Sequence, residues 1–109
     1  MALVTLDEAM AYLRVDSTDE VDLINSLILS AGDYCSDVGR LTDEEWETVN
    51  AESSSADSRD VLKMRNLLKT AMLYTIGYLY EHREEADHHD LAITLRNLLF
   101  AIRERRGVF

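Results

Sequence analysis

From Ala71 to Arg83 the chain reads Ala-Met-Leu-Tyr-Thr-Ile-Gly-Tyr-Leu-Tyr-Glu-His-Arg, a helical pattern that is apolar on nearly every side and stops abruptly in charge. A surface helix needs only one apolar stripe, so a helix apolar all round must be covered within a domain or between subunits. In a chain of 109 residues this points to partners. That length allows one core and a single domain over residues 1–109. Proline is absent and glycine occurs only four times, which removes the turn punctuation of sandwiches and barrels. The expected fold is all-α, a small bundle of about four main helices, two of them long and antiparallel, with a short helical turn and no sheet of consequence.

Start and stop signals place these helices. Thr5 and Glu8 form a capping-box pair that opens a short first helix ending near Arg14. Ser17 or Thr18, followed by Asp19 and Glu20, opens a longer second helix, with acids where the N-terminal dipole favours them. Its buried stripe is Val21, Ile24, Leu27 or Ile28, Ala31, Tyr34 or Cys35, and Val38. Gly39 is the expected left-handed terminator, and Gly32 marks a close approach. Thr42 and Glu45 repeat the capping box before Trp46, which anchors a short helical turn. Residues 50–58 are small and polar with no apolar period and read as a mobile loop.

The third helix runs from about Asp60 to His82, roughly 35 Å at 1.5 Å per residue. Val61, Met64, Leu68, Ala71, Thr75, Tyr78 and Leu79 form its main stripe. Met72, Leu73, Ile76 and Tyr80 lie off that stripe, to be covered by the fourth helix or left for a neighbouring copy. Gly77 again suggests a neighbour at close range. The fourth helix follows a charged connection and carries Leu91, Leu95, Leu98, Leu99 and Ile102 on one stripe.

The net charge of −10 is unevenly spread. Residues 1–60 hold 15 acidic and three basic side chains, and residues 61–109 hold six acidic and eight basic. Halves of opposite sign suit head-to-tail contact between copies, which closes into rings. Direct grip on nucleic acid by the acidic half is disfavoured, because phosphate binding requires Lys and Arg. The single cysteine, Cys35, excludes an intramolecular disulfide and sits on an apolar face as a core residue. The N-terminus lacks the regions of a signal peptide. The ten-residue run from Ala71 to Tyr80 spans about 15 Å of the roughly 30 Å needed to cross a bilayer. A soluble intracellular protein is expected, with no membrane contact.

Few constellations suggest chemistry. His82, His88 and His89 have poor metal-ligand spacing, since His88 and His89 are adjacent. Glu81, Glu84 and Glu85 read as helix-end charges rather than an acid–base pair. No phosphate-cradling glycine loop, nucleophile elbow or paired cysteine is present. No enzyme, metal or cofactor is expected. Tyr74, Tyr78 and Tyr80 are the strongest interaction candidates, because tyrosine joins a large apolar body to a polar tip. Arg103, Arg105 and Arg106 are candidate contacts for a partner.

The order of features, Val4-Thr5-Leu6-Asp7-Glu8-Ala9, Tyr12-Leu13-Arg14-Val15-Asp16, a long helix ending near Gly39-Arg40, and Tyr78-Leu79-Tyr80-Glu81-His82-Arg83-Glu84, resembles the phage head-tail connector family of the HK97 type. The resemblance implies an all-helical subunit of a ring, twelvefold in the virion, beneath the portal protein of a tailed phage. Such a ring extends the DNA channel, through which DNA passes without specific binding, and docks a downstream head-tail joining or tail-completion protein. Members often carry prolines before the third helix and in the last one. Their absence at Leu98–Arg103 implies a straighter, longer final helix. Under this reading Met72, Leu73, Ile76, Tyr80 and the three C-terminal arginines are interface candidates, and Asp43, Glu44, Glu45 and Glu47 line an acidic lumen or meet a neighbour. The alternative is a small acidic helical regulator or DNA mimic that covers a basic partner.

Overall fold

The computed structural model describes residues 3–51, 55–84 and 87–104, and among these every regular element is helical. In order they are α1 (Leu6–Leu13), a 3₁₀ turn (Thr18–Glu20), α2 (Val21–Val38), α3 (Asp43–Asn50), α4 (Arg59–Glu81), α5 (His89–Leu98) and α6 (Phe100–Arg103). The all-α expectation holds. The expected short turn is α3, and the expected fourth helix is the pair α5 and α6.

The starts follow the sequence signals. The Thr5 hydroxyl accepts from the Glu8 N–H while the Glu8 carboxylate accepts from the Thr5 N–H, and Thr42 and Glu45 repeat the arrangement at α3. Ser58 caps α4 by accepting from the Val61 N–H. Each such cap is worth about 1 kcal/mol. Ser17 caps the 3₁₀ turn, so the expected start of the second helix is a tighter turn, and regular α-helix begins at Val21.

The stops differ in one residue from expectation. At the end of α2 the Arg40 N–H donates to Asp37 and the Leu41 N–H to Ser36, a Schellman closure. The left-handed residue is Arg40, with φ of 57°, and Gly39 is right-handed. Gly39 serves by lacking a side chain, since a β-carbon there would stand 2.7 Å from the Leu41 methyl Cδ1. Arg14 closes α1 in the same way, with φ of 59°.

The two long helices, α2 and α4, form the centre, and Glu20 just before α2 meets Tyr80 near the end of α4, as an antiparallel pair requires. Ile24, Ala31 and Cys35 of α2 pack with Leu68, Ala71, Met72 and Ile76 of α4, and Leu91, Leu95, Leu99 and Ile102 close the core from α5 and α6. Met72 and Ile76 are 1% and 0% exposed. They therefore belong to the subunit's own core, which corrects their candidacy as neighbour contacts. Of the stretch from Ala71 to Tyr80, expected to be covered on nearly every side, Tyr74 alone is exposed, whereas the first half of α4 turns Leu62, Asn66 and Thr70 outward. Leu73 and Tyr80 are half-buried.

The final helix is neither straight nor long. It breaks at Leu99, whose carbonyl accepts from both Ile102 and Arg103, a tightening that needs no proline. Leu99 and Ile102 turn inward, whereas Leu98 leaves the expected stripe and is exposed together with Phe100.

Candidate functional site

A cleft of about 490 Å³ opens where the C-terminal end of α1 meets the C-terminal third of α4, lined by Tyr12, Arg14, Tyr74, Gly77, Tyr78 and Glu81 among others. Gly77 forms its floor. The Tyr12 ring crosses close above it, which is the short-range neighbour the glycine foretold. Tyr12 and Tyr74 remain 50% and 39% exposed, so two aromatic faces are open to solvent.

The far end of the cleft is tied together by side-chain contacts. His82 Nδ1 donates to the Tyr78 carbonyl at 2.8 Å, beside the His82 backbone N–H on the same carbonyl, and this closes the C-terminus of α4. The imidazole stacks on the Tyr78 ring at 4.1 Å, and His88 meets that ring edge-on at 5.5 Å. Tyr80 donates its hydroxyl to the Glu20 carboxylate, and this bond, with burial adding to it, pushes the phenol above its ordinary pKa. The Arg83 guanidinium lies 5.1 Å from the Tyr80 ring centre, a cation–π contact.

A second polar cluster lies toward the other end of α4 and has Arg65 at its centre. Arg65 is buried, and its guanidinium donates to the carbonyls of Thr48, Val49 and Ala51, with 2.9 Å to Thr48 and 2.8 Å to Val49. Its Nε stands 3.1 Å from Oδ2 of Asp57. A cation thus sits on the open carbonyls at the end of α3, which carries no basic residue in its own last turn. Arg103 does the same for α2 by donating to the Val38 carbonyl. The expected mobile loop is anchored at Ala51 and Asp57 by Arg65; residues 52–54 lie outside the described residues.

Sequence reasoning missed Arg65, although a signal existed. Val61, Met64, Arg65 and Leu68 follow an i, i+3, i+4, i+7 stripe, so the cation occupies a core-facing slot and must find partners inside. Tyr12 was missed as a cleft wall, although it belongs to the Tyr12-Leu13-Arg14 segment.

The remaining candidates scatter. Asp43, Glu44 and Glu47 are exposed on α3, whereas the Glu45 carboxylate is engaged with the Thr42 N–H. Arg105 and Arg106 lie outside the described residues, as does Glu85. Two cations of the basic half find acids of the acidic half within their own chain, Lys69 with Glu8 and Arg65 with Asp57. The Lys69 contact, ahead of the Thr5 hydrogen bonds, holds the Glu8 carboxyl below its usual range. Cys35 is buried, and burial pushes its thiol to about 11. Among the described residues no three His, Cys, Asp or Glu side chains converge as metal ligands, and no helix is long and apolar enough to cross a membrane.

Chemically, the described lining of the cleft offers aromatic rings, the Glu81 carboxylate and the Arg14 guanidinium, which is the equipment of a contact surface. No protein family, curated protein or solved structure matches the chain.

Proposed function

We propose that this chain is a subunit of the closed ring that joins head to tail in a tailed phage, seated under the portal protein and offering a docking surface to a tail-joining protein. One observation carries the reading. Two of the segments that bear the connector resemblance, Tyr12–Asp16 and Tyr78–Glu84, lie more than 60 residues apart in sequence, yet residues of both line one cleft. That part of the resemblance therefore shares one surface, while the part at Gly39 and Arg40 closes the other end of α2.

Other features support it. The core of α2, α4, α5 and α6 is closed within the subunit, which suits a rigid building block. The exposed carboxylates of Asp43, Glu44 and Glu47 suit a channel wall that repels passing DNA. A ring of twelve copies multiplies that field. The surplus of exposed acids, including Asp22, Asp33 and Asp37, also favours the second reading, an acidic regulator that covers a basic partner.

Negative-stain imaging of the purified chain with and without the portal ring of the same phage separates the two. Rings, alone or seated on the portal, support the connector. A persistent monomer or dimer that ignores the portal and binds a basic host protein supports the regulator.

A further inference from the structure

The cleft beside Gly77 brings aromatic rings and a carboxylate together, the two kinds of group that receive a guanidinium. Two exposed tyrosine faces and the exposed Glu81 carboxylate surround it, and the chain already places one guanidinium, that of Arg83, on the ring of the adjacent Tyr80. Among the described residues that line it, Arg14 is the one Lys or Arg. Guanidinium groups are the side chains that combine stacking on aromatic rings with forked hydrogen bonding to carboxylates.

The C-terminal arginines have that chemistry but begin at the wrong end of their own subunit. Arg103 is committed to Val38 and Ile102 faces Gly39, so α6 ends at the C-terminus of α2. The cleft lies at the opposite end, where Glu20 meets Tyr80. The 18 residues of α2 span about 27 Å between those ends. Arg105 and Arg106 follow Glu104 by one and two residues, about 7 Å of fully extended backbone. Two residues of backbone are too short to bridge the length of α2 back to the cleft of the same copy.

We infer that Arg105 and Arg106 of one copy dock in the Tyr12, Tyr74 and Glu81 cleft of a second copy, their guanidinium groups against the two rings and the carboxylate. The inference rests on the ring reading and gives it a contact. The two surfaces differ, so the contact is heterologous and repeats from copy to copy until it closes.

A fluorescent peptide of residues 103–109, titrated into the full chain and followed by anisotropy and by amide and ring NMR signals, tests the contact. Binding is expected with shifts at Tyr12 and Tyr74, weakened about tenfold by Glu81→Arg on the protein or by Arg105→Glu with Arg106→Glu on the peptide. Pairing the reversed peptide with the Glu81→Arg protein restores affinity. Glu81 is exposed at the end of α4, so the variant should fold, which circular dichroism checks. Absence of binding at millimolar peptide, or binding indifferent to Glu81→Arg, overturns the inference. Portal-seated rings formed by the Arg105→Glu, Arg106→Glu chain also overturn it while leaving the ring reading intact. Peptide binding in the cleft without rings on the portal defeats the ring reading and leaves the contact standing.

Discussion

The ring of Tyr12 on α1 lies across Gly77 of α4, with Cε2 2.9 Å from the point where a β-carbon on Gly77 would stand. Glycine inside a helix costs about 1 kcal/mol relative to alanine. Tyr12 is half exposed, so its ring can swing outward to admit a methyl group. Gly77→Ala should therefore leave stability unchanged or raise it by up to about 1 kcal/mol in urea denaturation. The same substitution displaces the cleft wall and should weaken assembly on the portal. A destabilised variant would show that Tyr12 is fixed where it lies.

Arg65 ties α3 and Asp57 to α4. Arg65→Met removes the cation and leaves the Asp57 carboxylate and three carbonyls to find other partners, which should cost about 3–5 kcal/mol. Arg65→Lys keeps the charge but loses the fork, and it should fall between the two. Urea denaturation gives the loss, and amide exchange should show it concentrated in α3.

Cys35 is buried against Thr75. The Thr75 hydroxyl gives its one proton to the Ala71 carbonyl at 2.8 Å, so the thiol donates to Thr75 Oγ1 across 3.7 Å. Its pKa rises from 9.0 to about 11, chiefly through burial. The folded chain then holds the thiol proton more tightly than the unfolded chain. The neutral thiol's contribution is complete below pH 9 and falls by about 2–3 kcal/mol as the pH rises to 11. Cys35→Ala should remove that part of the alkaline slope, and maleimide at pH 7 should label Cys35 only after unfolding.

The Glu8 carboxyl, depressed first by Lys69 and then by its cap to Thr5, behaves in the opposite sense. Its stabilisation is present above the ordinary carboxylate pKa of 4.5 and is lost as the pH falls through the lowered folded value. Lys69→Met should flatten the acid side of the stability profile while leaving the helix content of α1 in place. Circular dichroism between pH 6 and pH 2 measures both, and an unchanged slope would assign the acid sensitivity elsewhere.

Much of this fold was legible in the sequence because its signals are local. Thr5 with Glu8, Thr42 with Glu45 and the stripe of α2 each involve residues within a few turns of one another. The errors arose where distant segments decide. Met72 and Ile76 lie off the main stripe of α4 by period, yet packing against them widens the buried face and takes them from the surface. Gly39 matched the pattern of a left-handed stop, but steric room for Leu41 is what it supplies, and Arg40 makes the turn. The cleft depends on Tyr12 meeting Gly77, a contact across 65 positions that no periodicity encodes. Arg65 was visible as a charge in a core slot, but its partners Thr48, Val49, Ala51 and Asp57 were not.

Mass measurement by light scattering on the full chain, mixed with the portal ring of the same phage and compared with each alone, tests the central claim most directly. The account predicts that the portal gains the mass of a complete set of subunits, that the added mass is ring-shaped in negative stain, and that Gly77→Ala reduces the gain. A portal whose mass is unchanged, with the chain eluting as a monomer or dimer at every concentration, would contradict it.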